Sequence, residues 1–319
     1  MKKYAALVLA LVMVLSLCAC GGSSAPAGGN LTFTTGGDQG TYYGFGGVMA
    51  QKVSEVTDTT VTAITSGGSK ANIEALEAGD AQLGFVQSDV MAYGYKGTRL
   101  FAETGAVEIF STVAALYMEQ VQIVTLDPTI QSVADLAGKS VSIGAAGSGV
   151  YINAIDILGV YGLTEEDIKP TYQSFGDSVE ALQDGQIDAA FVVAGAPTTA
   201  VTSLATTDKV YLVSLDAEHI AALIAESPYY TENTIPASAY GTDGDVTTVA
   251  VGAVVIARDD VSEDDVYNFL SGVFENLDNL AHDKANELSL EFASSVTDVP
   301  YHPGAAKYFA EKGITVPTK

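Results

Sequence analysis

The stretch EALEAGDAQLGFV at 74–86 returns as EALQDGQIDAAFV at 180–192. This internal echo constrains the fold more than any other feature of the chain. Each copy reads as a helix running into a glycine turn and then an apolar strand. The surroundings repeat as well. In the first copy Leu31–Thr35 alternates like a strand, the glycine turn Gly36–Gly40 follows, and Thr41–Glu55 reads as a helix. A second strand, Thr60–Thr65, ends at Ser66-Gly67-Gly68-Ser69, and a helix through Ala78 leads to the strand Gln82–Gln87. In the second copy the strand Ser140–Gly144 meets the turn Ala145–Gly149 and a helix over Val150–Val160. The short strand Ile168–Ser174 ends at Phe175-Gly176-Asp177-Ser178, and a helix carrying Glu180–Gly185 enters the strand Ile187–Val193. Strand, turn, helix in this order predicts an α/β fold of two parallel-sheet lobes. At 319 residues, 48% of them hydrophobic, the chain is long enough to build both cores.

Open parallel sheets bind ligands beyond the carboxyl ends of their strands. Two such lobes facing each other make a cleft, and the four glycine turns fall at its rim. Each turn precedes a helix, whose first N–H groups are free and carry partial positive charge, so an anion is accepted without a basic side chain. That matters here, because Asp and Glu number 39 against 14 Lys and Arg, a formal charge of −25. Such a chain repels phosphate backbones, which argues against nucleic acid as a partner. The competing reading of each turn is plain helix capping, a role open to Ser69, Ser148 and Ser178.

The N-terminus reads as an address. Lys2 and Lys3 precede an apolar run from Tyr4 to Cys20, shorter than a spanning helix needs. Leu17-Cys18-Ala19-Cys20-Gly21 resembles a bacterial lipobox, with Cys20 as the lipidated first residue of the mature chain. Residues 1–20 are then a lipoprotein signal peptide and GGSSAPAGGN at 21–30 a flexible tether. Cys18 and Cys20 are the only cysteines, so the rest of the chain forms no internal disulfide or thiolate metal site. The protein is expected on the outer face of the cell membrane or in the periplasm, as a monomer.

Five segments in order carry a family likeness: TTGGDQGTYYGFGGVMA, ITSGGSKANIEALEAGDAQLGFVQSD, SVADLAGKSVSIGAAGSG, DGQIDAAFVVAGAP and VPYHPGAAKYF. Together they resemble the TAXI family of extracytoplasmic solute receptors, the binding components of one class of TRAP transporters, over nearly all of residues 31–319. The resemblance implies a two-lobed, type II periplasmic-binding-protein fold that closes on glutamate, 2-oxoglutarate or a similar small dicarboxylate and delivers it to a membrane permease. Lobe one is expected at 31–122 plus 250–319 and lobe two at 123–249, joined by a two-strand hinge near Val121–Leu126 and Val246–Ala257. On the family pattern the ligand faces Gly37, Asp38, Gln39, Gly40, Thr41, Tyr42 and Tyr43 of the first turn, then Ser66, Gly67, Gly68 and Ser69, then Gln87. From the second lobe it faces Gly147, Ser148, Gly149 and the segment from Ala194 and Gly195 to Pro197.

Asp38 departs from the pattern, which has a small hydroxyl or Gly there in many members. It either pairs with a substrate ammonium, favouring an amino acid over a keto acid, or caps the following helix from outside. Tyr43 and Tyr151 immediately follow glycine turns and are candidates to close over the ligand, along with Val150 beside them and Tyr117. Lys70 and Arg99 read as a solvated lysine and a surface ion pair. No cofactor or metal is expected, and no enzyme reading finds residues. Gly138-Lys139-Ser140 lacks the leading Gly of a P-loop, no G-x-S-x-G is present, and His219, His282 and His302 lie far apart. The alternatives are an ABC-type binding lipoprotein for a heterocycle or thiamine precursor, and a surface antigen without a small-molecule ligand.

Overall fold

The computed structural model describes residues 28–319; the lipobox, Cys20 and most of the tether lie outside the described residues. The first half of the chain runs β1 (Asn30–Thr34), α1 (Thr41–Val56), β2 (Thr60–Ile64), α2 (Ser69–Ala78), β3 (Leu83–Gln87), α3 (Ser88–Lys96) and the long β4 (Phe110–Thr125). The second repeat follows as β5 (Ser140–Ser142), α4 (Val150–Val160), β6 (Lys169–Thr171), α5 (Phe175–Gln183), β7 (Ala189–Ala194) and α6 (Thr199–Thr207). Then come β8 (Tyr211–Leu212), α7 (Ala217–Glu226), β9 (Thr231–Ile235), the long β10 (Val246–Arg258), α8 (Glu263–Phe274), α9 (Leu290–Ala293) and α10 (Pro303–Glu311).

The strands form a single sheet in the order β2-β1-β3-β10-β4-β7-β5-β6, with β8 added to β4 and β9 to β10. This corrects the expectation of two separate parallel sheets. Pairing is parallel within each repeat, among β2, β1 and β3 and among β7, β5 and β6. Between them run β10 and β4, antiparallel to each other and to their outer neighbours β3 and β7. The two strand crossings expected near Val121–Leu126 and Val246–Ala257 are parts of longer strands of 16 and 13 residues. The physical reason is backbone accounting. A strand crossing through a buried region must pair its N–H and C=O groups. β4 does this by pairing 110–120 with β10 and then 120–125 with β7.

β3 and β7 are buried along their whole length, reading LGFVQ and AAFVVA. Near-continuous apolar runs belong to parallel sheets covered on both faces. Around the first repeat, Phe33, Phe45, Phe85 and Phe269 pack one face, and Leu76, Val86, Val90 and Phe110 the other. Around the second, Ile143, Ile157 and Phe191 pack one face, and Val192, Val201 and Leu204 the other.

Asp265, at the start of α8, ties the N-terminal strand in place. It accepts the Gly29 N–H at 2.7 Å, the Thr59 hydroxyl at 2.6 Å and the Ser262 hydroxyl at 2.6 Å. Burial pushes its carboxyl up, but these three hydrogen bonds outweigh it and hold the group below the usual range. A depressed carboxylate adds stability above its unfolded pKa and loses it as pH falls. Asp265→Ala is therefore expected to lower stability by about 1–3 kcal/mol at pH 7, with the deficit narrowing below about pH 4. Thermal denaturation across pH checks both parts.

Candidate functional site

The glycine turns of the two repeats meet. The Ala71 N–H donates to the Gly147 carbonyl at 3.1 Å, and the Ala200 N–H to the Gln39 carbonyl at 3.2 Å. The Thr41 hydroxyl donates to the Gly195 carbonyl at 2.9 Å. Deeper in, Gln87 Nε2 donates to Asn153 Oδ1 at 2.9 Å, and Asn153 Nδ2 donates to Asp89 Oδ2 at 2.9 Å and Tyr230 Oη at 2.8 Å. The approach requires glycine at two places. Gly68 has φ +107°, open to L side chains only under strain. A Cβ on Gly149 would stand 1.4 Å from Gln87 Oε1 and 2.9 Å from Val90 Cγ2.

Between the turns lies a cavity of about 80 Å³. One water needs roughly 10–15 Å³ of such space, so the cavity suits a small molecule. The N-termini of four helices border it: Gly40, Thr41 and Tyr42 at α1, Gly68 and Ser69 at α2, Gly149 and Val150 at α4, and Ser174 and Phe175 at α5. α1, α2 and α4 have no side-chain cap, and their cap positions are all glycine. The capping alternative therefore fails for Ser69 and Ser148. At α5 the cap is Ser174, not Ser178, because the segment expected as a turn at 175–178 is already the first turn of the helix.

Among the described residues the lining contains no Lys or Arg and one acid, Glu119. Glu119 Oε2 accepts the Tyr42 hydroxyl at 2.6 Å. Burial, foremost, and the nearby Asp89 push the Glu119 carboxyl up to about 8, against the hydrogen bond from Tyr42 and the charge of Lys284. Tyr42 itself is raised well above the usual phenol range, first by burial and then by Glu119. Two buried polar atoms of the lining residues lack any hydrogen-bond partner among the described residues, Gln87 Oε1 and Ser148 Oγ. Such orphans are rare in folded proteins and point to a missing partner.

Of the residues expected to face the ligand, Gly37, Gly40, Thr41, Tyr42, Ser66, Gly67, Gly68, Ser69, Gln87, Ser148, Gly149, Val150 and Ala194 line this cavity. Seven others do not. Asp38 is exposed and outside the lining. Gln39 is spent on the contact with the second repeat, its Cγ lying against Gly176. Tyr43, 37% exposed, follows Tyr42 on the helix and so points to another face. Tyr117 is fully buried behind the wall, its ring 6.0 Å from Phe45. Gly147 and Gly195 offer carbonyls to the contacts above. Tyr151 turns away to donate to Glu165 at 2.9 Å. Lys70 pairs with Glu74, and Arg99 pairs with Asp156 across the two repeats. Sequence reasoning missed Glu119, Gln173, Ser174 and Val193, all of which line the cavity, whereas Gly36, Ala145 and Phe175, which line it too, belong to the glycine turns expected at the cleft. Glu119 had a signal, as the lone charge in the otherwise uncharged strand FSTVAALYMEQVQIVT.

The family model described as the NMT1-like family matches residues 33–313. The chain belongs to the NMT1-like family. Among solved structures, this NMT1-like chain is similar to MatC from Rhodopseudomonas palustris with bound malate, at TM-score 0.55 and 14% identity, over 81% of this chain and 86% of that one. It is similar to the periplasmic binding protein BugD at TM-score 0.55 and 13% identity, over 81% and 85%. It is also similar to the alkanesulfonate-binding protein SsuA from Xanthomonas axonopodis pv. citri bound to MOPS, at TM-score 0.51 and 17% identity, over 89% and 84%. At these identities the likeness concerns the fold, which is the α/β periplasmic-binding-protein fold. Among the described residues no group of three or more His, Cys, Asp or Glu is placed to hold a metal ion, and no helix is long and apolar enough to cross a membrane.

Proposed function

We propose that this NMT1-like protein is an extracytoplasmic solute receptor that binds a small carboxylate in the cavity between its two repeats and hands it to a membrane permease. The observation that carries this reading is the ring of helix N-termini, three of them uncapped, around a cavity without a basic side chain but with two orphaned polar atoms. Free N–H groups and helix dipoles are suited to an anion, and charge-assisted hydrogen bonds strengthen where water is scarce. The solved structures of like fold include one with malate and one with MOPS, each carrying an anionic group. The ordered motifs that resemble the TAXI family favour a TRAP-type partner and a glutamate- or 2-oxoglutarate-like solute. Cys20 lipidation would hold the receptor at the membrane surface.

The same reading assigns lobe one to 31–122 plus 250–319 and lobe two to 123–249, closing about the crossing strands. The apolar clusters support most of this division: Val121 and Val251 pack with the second repeat, and Ile152 of α4 packs with the first. A two-sided site favours the closed form because only that form makes both sets of contacts.

Thermal stabilisation across a panel of L-glutamate, 2-oxoglutarate, malate and related acids tests the proposal. A micromolar ligand at a thousandfold excess is expected to add about 4 kcal/mol, a readily measured rise in Tm. No rise with any acid at millimolar concentration would contradict it.

A further inference from the structure

We propose that Glu119 and Gln87 form a cation subsite inside the cavity, so that the receptor selects a small acid carrying a protonated amine over the same acid without one. The inference rests on reading the cavity as an anion-binding cleft, and it adds the opposite pole.

Glu119 and Gln87 are each 2% exposed and both line the cavity. Glu119 Oε2 takes the Tyr42 hydroxyl, while its Oε1 receives no hydrogen bond from the described residues. The orientation of the Gln87 amide follows from its neighbours. Asn153 spends its Nδ2 on Asp89 and Tyr230, so its Oδ1 must accept, and Gln87 Nε2 is the donor. That leaves Gln87 Oε1 buried without a donor. Two acceptors, one of them a carboxylate, thus line a space with no Lys or Arg on its walls. The nearby buried cation, Lys284, is held elsewhere: its ammonium donates to Glu287 at 2.5 Å and to the Ala196 carbonyl at 3.0 Å. An ammonium, with three N–H donors and a positive charge, has the chemistry that both acceptors call for. Asp38, the sequence candidate for this role, sits outside the cavity.

The groups around Glu119 set how the subsite responds to pH. They are Tyr42 on α1, Asp89 on α3, Tyr117 on its own strand, and Lys284 with its partner Glu287 in the segment 283–287. With the carboxyl held at about 8, the receptor without solute carries a proton there at pH 7. Binding an ammonium favours the carboxylate, so Glu119 releases that proton to solvent as the ion pair forms. Affinity for the amine-bearing acid should then rise with pH, approaching tenfold per unit below pH 8, and flatten above it.

Isothermal titration of the full chain in detergent with L-glutamate and with 2-oxoglutarate, from pH 5.5 to 8.5, tests this. The expected wild-type result is at least about tenfold preference for L-glutamate at pH 7.5, and a Kd for it that falls roughly a hundredfold from pH 5.5 to 7.5. Glu119→Gln keeps an acceptor for Tyr42 and is expected to bring the preference ratio toward one and to flatten the profile. If 2-oxoglutarate binds as tightly as L-glutamate or more so, the cation subsite is wrong while the anion cleft stands. A flat or falling pH dependence of L-glutamate binding likewise overturns the subsite and spares the cleft. If neither acid binds, the cleft reading goes and this inference with it. The wild-type profile decides the matter even if the variant does not fold.

Discussion

Gly149→Val is expected to reduce ligand affinity by at least about a hundredfold while leaving the fold intact. Gly149 caps α4, and the first side-chain carbon of any replacement would enter the space held by the Gln87 amide, with Val90 closing off escape. Gln87 is not free to swing aside, because its Nε2 is bound to Asn153 and its surroundings are buried. The clash exists only where the two repeats meet, so the strain falls on the closed form proposed to bind ligand. A hundredfold loss corresponds to about 2.7 kcal/mol, within the range of overpacking in a close-packed contact. Titration with the best ligand of the panel measures the loss, and circular dichroism checks the fold. A variant of unchanged affinity would mean that the contact between Gly149 and Gln87 is no part of the binding form.

The second large effect is expected at Asn153. Its fully buried amide joins Gln87 and Asp89 of the first repeat to Tyr230 of the second. Asn153→Ala leaves the Gln87 amide and an Asp89 oxygen without their partner, at a cost of about 1–3 kcal/mol for each buried group. A loss near 3 kcal/mol corresponds to a fall in Tm of roughly 4–6 °C for a chain of this size. Asp89 also makes the deficit depend on pH. Burial pushes its carboxyl up to about 6, and the hydrogen bond from Asn153 partly offsets this. A carboxyl raised in the folded state destabilises above that value, and the penalty is relieved as pH falls toward the unfolded value. Without Asn153 the Asp89 carboxyl rises further. The variant should therefore be most impaired at pH 7–8 and recover part of its stability near pH 5. Equal deficits at both pH values would show that Asp89 is not the group left exposed.

The repeat was legible because it is written in local terms. Glycine turns, apolar runs such as LGFV and AAFVV, and the helices between them are properties of short segments. The turns therefore pointed correctly to four helix N-termini. What escaped was tertiary. That β4 and β10 join both repeats into one sheet depends on pairing between residues over a hundred positions apart, such as Ala253 with Tyr117. Glu119 escaped for a related reason. In sequence it is one acid among 39, and only the folded chain sets it beside Tyr42 and Asp89 as a buried group at the cavity between the repeats. Asp38 was the more visible acid because it sits within a glycine turn, yet a turn has an outer side, and Asp38 lies on it. Tyr43 and Tyr151 were misplaced likewise, since one step along a helix turns a side chain by about 100°.

The most direct measurement is a crystal structure of the protein with L-glutamate bound. The ligand carboxylate is expected within hydrogen-bond distance of first-turn N–H groups of at least two of the helices α1, α2, α4 and α5, with no Lys or Arg side chain touching it. A carboxylate gripped by a basic side chain, or a ligand seated away from the cavity between Gly68 and Gly149, would contradict the claim that backbone amides bind the anion.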